Sequence, residues 1–220
     1  MGDGGFGVAL DGRPVGTPAG AALRLPTAGL ADAIAEEWAA QEKLVRPHSM
    51  PMMRLAAAAI DRVGRERDAV VGQIAAYGGS DLLCYRACGP GELVRRQAET
   101  WQPLLDWAEE ALGAPLAVTT GVTHAAQPPE SLSALAARLE AMDDFQIAAQ
   151  SQLTAACGSL VLSLAAAAGR IGVEETIAAS QLDEEWQAEI WGRDKDAEDR
   201  RTALAAEITS AIRFLELVRG

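Results

Sequence analysis

The feature that most constrains the fold is an apolar stretch from Leu153 to Ala168. Its leucine, valine and alanine side chains cover almost every side of a helix, and a helix that is apolar all round has to be buried by its neighbours. The stretch is too short to cross a bilayer, which takes roughly 20 apolar residues. We therefore predict a helical domain that surrounds this segment as one central helix.

The N-terminal part of the chain has a different pattern. Short apolar runs flank the pair Asp11-Gly12. Both positions of such a pair tolerate positive φ, so the pattern predicts an antiparallel hairpin. Farther along, Leu30, Ile34 and Trp38 recur at helical spacing, which predicts an amphipathic helix with Trp38 in the core.

Most of the remaining chain has helical periodicity. Pro103 favours a helix break, so we expect two helices, 92–98 and 103–112. The predicted fold class is α+β, mostly α. We expect a small mixed β/α domain with an antiparallel sheet over residues 1–50 and a larger helical bundle domain over residues 51–220.

The charge of the chain restricts its partners. Its 31 acidic and 19 basic residues give a formal net charge of -12 at pH 7. Such a surface repels phosphate backbones and anionic headgroups, so we expect no nucleic acid partner and no membrane insertion. The odd cysteine count and the absence of a leader pattern at the start favour a reducing compartment. We expect a bacterial cytoplasm, or a mitochondrial matrix if the protein is eukaryotic and processed.

Patterns that would indicate catalysis, a cofactor or a metal are weak. Glycines at positions 2–7 match a dinucleotide-binding fingerprint, but no strand precedes them. Cys84 and Cys88 have metal-like spacing, whereas Cys157 and the two histidines lie far away in the sequence. Two histidines are also few for a nucleophile–base pair. We therefore expect no catalytic residues, no metal ligands and no cofactors.

The most charged stretch, 182–199, combines tryptophan with acidic residues. A solvated amphipathic helix would explain this composition. An interaction surface with an aromatic anchor and a polar rim would explain it equally well. On the second interpretation, the predicted partner-binding residues are Glu184, Glu185, Glu189, Trp191 and Asp194.

Short motifs along the chain also resemble one protein family. In sequence order they are Asp11-Gly-Arg-Pro-Val15, Glu37-Trp38, Met50-Pro51, Ser80-Asp-Leu-Leu-Cys-Tyr-Arg86, Pro103-Leu-Leu-Asp-Trp107, Gly158-Ser-Leu160 and Leu182-Asp-Glu-Glu followed by Trp191-Gly192. Together they resemble the assembly chaperones of the ATP synthase catalytic head. The resemblance implies a protein without catalytic residues that binds the free α subunit. It would prevent aggregation of that subunit until the β subunit replaces the chaperone.

Two other functions stay open at this stage. One is a helical enzyme that uses carboxylates of residues 182–199, and the other is a structural adaptor that stays in the finished complex. For the chaperone we expect a monomer when it is free. We also expect Tyr85 and Arg86 to pack in the core or to join the two domains through a salt bridge.

Overall fold

The computed structural model describes residues 5–220. Most of this range is helical, and the strands are short. The predicted α+β, mostly α class is confirmed. Most of the glycine pattern at residues 2–7 lies outside the described residues.

The N-terminal hairpin forms where the sequence predicts it. Strands β1 (Ala9–Leu10) and β2 (Arg13–Pro14) pair antiparallel, with Leu10 opposite Arg13. Asp11 and Gly12 have φ values of 50° and 77°, the conformation that a tight two-residue turn requires. Single bridges, such as the one between residues 6 and 25, extend this paired region.

Helices α1, α2 and α3 follow the hairpin. Helix α1 (Ala28–Ala39) is capped by Thr27, whose hydroxyl accepts from the backbone N–H of Leu30 at 3.2 Å. Helix α2 (Pro51–Ala58) passes through a π-helical segment (Ala59–Val63) into α3 (Gly64–Ala75). The backbone kinks inside α3 at Glu66, which has φ -132° and ψ 35°.

Helix α4 (Gly91–Leu112) is continuous, so the prediction of two helices separated before Pro103 was wrong. Burial explains the continuity. Trp101 is fully buried and its indole N–H donates to the carbonyl of Ala179 at 2.9 Å, which holds the middle of the helix in place. Packing on both sides of Pro103 therefore offsets the backbone hydrogen bond that this proline cannot donate.

A pair of two-residue strands lies beside α4. Strands β3 (Tyr85–Arg86) and β4 (Thr119–Thr120) pair in parallel. The Arg86 guanidinium donates to the carbonyls of Leu83 and Gln97, both at 2.9 Å, and lies 5.4 Å from the ring centre of Trp101. Arg86 therefore packs in the core rather than joining two domains through a salt bridge.

The predicted central helix is in fact two helices. After α5 (Pro129–Glu140), helix α6 (Asp144–Cys157) ends at Gly158, which has a left-handed φ of 64°. Ser159 then caps α7 (Leu160–Ala167). The prediction of burial is confirmed, since every residue of α7 is buried.

The buried carboxylate of Asp81 holds this junction together. It accepts from the Ser159 hydroxyl at 2.6 Å and from the backbone N–H groups of Val161 and Leu83 at 3.0 and 3.1 Å. Burial raises the pKa of this carboxyl group, and the same hydrogen bonds oppose that shift.

The C-terminal helices are α8 (Val173–Ser180), α9 (Leu182–Trp191) and α10 (Lys195–Arg219). Helix α10 packs along α6, where Phe145 and Phe214 stack with their ring centres 6.4 Å apart. No helix within residues 5–220 is long and apolar enough to cross a membrane.

One buried cluster contains side chains from both parts of the chain. Leu30 and Ile34 of α1 belong to the same cluster as Leu153 and Phe214. The division into residues 1–50 and 51–220 stays a prediction. Trp38 packs against this cluster but is only partly buried, so it is not the core tryptophan that its helical spacing suggests.

Candidate functional site

The acidic helix α9 lies on the surface. It falls wholly within the described residues, and none of its side chains is buried. At its C-terminal end, Ile190 is 57% exposed and Trp191 is 78% exposed. Gly192, with φ 92°, then turns the chain toward α10, whose first turn is capped by the Asp194 carboxylate. A large indole that remains in water is unusual for a monomeric surface and typical of an interaction site.

Polar contacts with α4 and α10, together with Leu182, which packs against the core, hold α9 in place. The Gln97 amide donates to the Asp183 carboxylate at 2.7 Å. The guanidinium of Arg96 lies 4.8 Å from the ring centre of Trp186. Such contacts fix the orientation of a surface helix while leaving its outer face free.

Ion pairs inside the protein occupy two of the predicted partner-binding residues. Glu189 accepts from Nη1 of Arg96 through both carboxylate oxygens, at 2.9 and 3.1 Å. Glu185 accepts from Arg193 and Arg201, each at 2.6 Å. These carboxylates are therefore already paired. The hydrogen bonding that Arg96 donates to the Glu189 carboxylate is the main cause that raises the pKa of Arg96.

The other three predicted residues lie together on a groove, which we call the Trp191 groove. Its volume is about 560 Å³, and Glu184, Trp191 and Asp194 all line it. Residues of α6, α9, α10 and the helical turn at 82–84 complete the wall: Leu82, Ala155, Ala156, Ala188, Arg200 and Leu204. The groove thus combines apolar side chains with charged groups of both signs.

Sequence reasoning missed the contribution of α10. Arg200 and Leu204 are four residues apart, so they lie on one helical face, and that face meets α9 across the turn at Gly192. The spacing is visible in the sequence, but the angle between α9 and α10 is not. Nothing in the pattern therefore distinguishes these two residues from others on α10.

Several carboxylates and thiols, the kinds of side chain that catalysis uses, are paired or buried in this protein. Glu185 and Glu189 are paired with arginines, so neither is a free carboxylate for an enzyme built on residues 182–199. Burial, with a smaller contribution from the Asp81 charge, raises the pKa of Cys84 and Cys157 to about 12. Within residues 5–220 there is no group of histidine, cysteine and acidic side chains that could hold a metal ion.

Comparisons with known proteins identify the family. A family model described as "ATP12 chaperone protein" matches residues 1–109. The mitochondrial protein atp12 of Schizosaccharomyces pombe is 28% identical over 217 residues, which are 90% of this chain and 74% of the fungal protein.

Solved structures extend the similarity over the whole fold. The crystal structure of Atp12 from Paracoccus denitrificans is 46% identical, with a TM-score of 0.94, over 99% of this chain and 94% of that one. A point mutant of the same bacterial protein is 45% identical, with a TM-score of 0.95, over 100% of this chain and 94% of that one. Such identity over nearly the full length confirms that this is a chaperone rather than an enzyme: the chain belongs to the ATP12 chaperone family.

Proposed function

We propose that this protein is an assembly chaperone of the ATP synthase catalytic head. It binds the free α subunit and keeps it from aggregating until the β subunit takes its place. Membership of the ATP12 chaperone family supports the chaperone role. The single structural observation that carries the proposal is Trp191, which is 78% exposed at the edge of an apolar groove.

The groove has the properties that reversible binding of an unassembled subunit requires. An unassembled subunit exposes a contiguous apolar patch that its neighbour later covers. Trp191 is the anchor for such a patch, and the groove beside it accepts smaller apolar side chains. Glu184 and Asp194 at the rim steer a basic partner surface and affect the rate of encounter more than the affinity.

The proposed partner-binding residues are therefore Glu184, Trp191 and Asp194, which line the groove. Glu185 and Glu189 belong to the same acidic helix but act mainly by holding it, through their arginine partners. The chaperone is a monomer when free, and it works in the bacterial cytoplasm or, in eukaryotes, in the mitochondrial matrix.

The experiment mixes the protein with freshly diluted ATP synthase α subunit and follows light scattering and co-elution from a sizing column. The protein is expected to suppress aggregation, to co-elute with the α subunit and to be released when the β subunit is added. Failure to suppress aggregation would contradict the proposal. Retention after addition of the β subunit would instead indicate a structural adaptor.

Two neighbouring substitutions test the groove itself. Trp191→Ser removes the exposed anchor and should weaken α-subunit binding by roughly tenfold or more, as expected for a central interface tryptophan. Ile190→Ser is the matched control, because Ile190 is also exposed but does not line the groove. Equal effects of the two substitutions would contradict a role for the groove.

A further inference from the structure

Arg96 of α4 contacts one face of the acidic helix α9 at two points. Its Nη1 donates to both carboxylate oxygens of Glu189, at 2.9 and 3.1 Å, and its guanidinium lies 4.8 Å from the ring centre of Trp186. Glu92, one turn earlier on α4, accepts from Nε of Arg96 at 3.2 Å. The guanidinium is therefore held from its own helix while it binds α9.

The two ends of α9 are attached to the protein by different kinds of contact. At the N-terminal end, Asp183 accepts from the Gln97 amide at 2.7 Å. Gln97 is 1% exposed, and its side-chain oxygen accepts from the backbone N–H of Ala87 at 2.8 Å. At the C-terminal end, the side chains of Arg96 and Glu189 are 38% and 42% exposed. The first attachment therefore belongs to the core, whereas the second lies at the surface.

Arg96 is the main polar attachment of the end of α9 that carries Trp191. Glu185 connects the first half of the helix to Arg193 and Arg201. Beyond Glu185, every hydrogen bond, ion pair and ring contact that α9 makes with another helix within residues 5–220 involves Arg96. Loss of Arg96 would therefore leave this end of α9 free to change its position.

The face of α9 that α4 holds differs from the face that lines the Trp191 groove. The residues that contact α4 recur every three positions: Asp183, Trp186 and Glu189. The residues that line the groove share another face: Glu184, Gln187, Ala188 and Trp191. Because all side chains of one helix turn together, contacts that fix the first face also fix the direction of the second.

We propose that Arg96 is a positioning residue for client binding, which holds Trp191 in its binding orientation although Arg96 does not line the groove. The inference rests on the proposed function, in which Trp191 is the anchor for the α subunit. An anchor that is already oriented loses less conformational entropy on binding, so a fixed α9 binds the client more tightly. If Glu189 itself paired with the client, removing Arg96 would free that carboxylate and strengthen binding instead.

The distance between two spin labels tests this positioning in the free protein. One label is attached to Cys88, an exposed thiol just before α4, and the other to the cysteine introduced by Ile190→Cys. Ile190 is exposed at the end of α9 and does not line the groove, and the two other thiols of the chain are buried. We expect Arg96→Gln to broaden the distribution of distances between the labels.

Arg95→Gln is the matched control. Arg95 pairs with Glu92, as Arg96 does, and with Glu99, so its ion pairs within residues 5–220 are confined to α4. This variant should leave the distance distribution unchanged. Glu189→Gln removes the same ion pair from the side of α9 and should also broaden the distribution. Equal widths in Arg96→Gln and Arg95→Gln overturn the proposal.

Affinity for the α subunit separates positioning from direct contact. Arg96→Gln should weaken binding by roughly fivefold, as expected for the loss of one exposed ion pair and one cation–π contact, and Arg95→Gln should leave binding unchanged. Arg96→Lys keeps the charge without the planar stack, so its affinity should lie between. The double variant Arg96→Gln/Glu189→Gln should bind no more weakly than Arg96→Gln, because both lack the same pair.

Two results of the binding experiment overturn the proposal. Tighter binding by Arg96→Gln would show that the freed Glu189 contacts the α subunit. Additive losses in the double variant would show that Arg96 contacts the α subunit itself.

The spin-label measurement separates this inference from the proposed function, because it contains no ATP synthase subunit. Equal widths in the two arginine variants overturn the role of Arg96 and leave the proposed function intact. Failure of the aggregation assay contradicts the proposed function, and the spin-label result still decides whether Arg96 positions the end of α9.

Discussion

The same substitution, tryptophan to phenylalanine, should have opposite consequences at two positions of this fold. Trp101 is fully buried, its N–H donates to the Ala179 carbonyl, and its ring stacks under Arg86. Trp38 is only partly buried, and its N–H has no acceptor among residues 5–220. We expect Trp101→Phe to destabilise the protein strongly and Trp38→Phe to leave its stability nearly unchanged.

The magnitude for Trp101→Phe follows from three losses. An unpaired buried carbonyl costs about 1–3 kcal/mol. The volume left by the smaller ring adds part of the 3–5 kcal/mol that deletion of a whole aromatic ring costs, so about 1 kcal/mol. The weakened contact with Arg86 adds about 0.5 kcal/mol. The sum is about 2.5–4.5 kcal/mol of unfolding free energy.

For Trp38→Phe, the contributions to the change in unfolding free energy nearly cancel. Removing the indole N–H removes a buried donor without a partner, which stabilises the folded state, while the smaller ring gives up some apolar contact. We expect a net change within about 1 kcal/mol. Urea unfolding followed by far-UV circular dichroism measures both variants, and an unchanged slope shows that the denatured state is comparable. Equal costs at the two positions, or a larger cost at Trp38, would refute this reasoning.

Three smaller predictions follow from other contacts. Cys88 is exposed, whereas burial raises the pKa of the Cys84 and Cys157 thiols to about 12. Ellman's reagent should therefore titrate one thiol in the native protein near neutral pH and three after denaturation, and the reaction of Cys84 and Cys157 should become faster as the pH rises toward their pKa. Glu189→Gln breaks a half-exposed ion pair and should leave the midpoint of urea unfolding nearly unchanged; a clear fall of the midpoint would show that this pair stabilises more of the protein than α9. Gly158→Ala should cost about 1–2 kcal/mol, because the added Cβ has room but the φ of 64° is left-handed; Gly72→Ala, inside α3 with open space around it, should instead stabilise by about 0.5–1 kcal/mol, and thermal melts compare the two.

Sequence patterns predict those elements whose conformation is set by residues adjacent in the sequence. The turn at Asp11-Gly12 and the bounds of α9 follow from φ preferences and from the glycine after Trp191. The apolar composition around Gly158 predicts one continuous helix, whereas the structure has a break there. The break consists of a glycine in the left-handed conformation followed by the capping serine Ser159. That combination is a visible signal, so the sequence could have revealed this break.

The continuity of α4 is different, because no local pattern contains it. Pro103 removes a hydrogen bond whatever its surroundings, and sequence rules therefore favour a break. The helix continues because Trp101 is anchored by a carbonyl of α8, a contact between residues 78 positions apart. Such a contact exists only once the chain has folded.

The candidate site, too, is predictable from the sequence only in part: its composition is visible there, but its ion pairs are not. Composition identifies α9 as an acidic, tryptophan-containing surface helix. Whether each of its carboxylates is available to a partner depends on whether it already forms an ion pair with an arginine of this protein. Arg96 reaches Glu189 across 93 positions of sequence, whereas Glu184 lines the Trp191 groove. A partner that bound Glu189 would first have to displace Arg96, while contact with Glu184 requires no such exchange. We therefore expect a partner to engage Glu184, which forms no ion pair with residues 5–220, more readily than Glu189, and only the folded arrangement distinguishes the two.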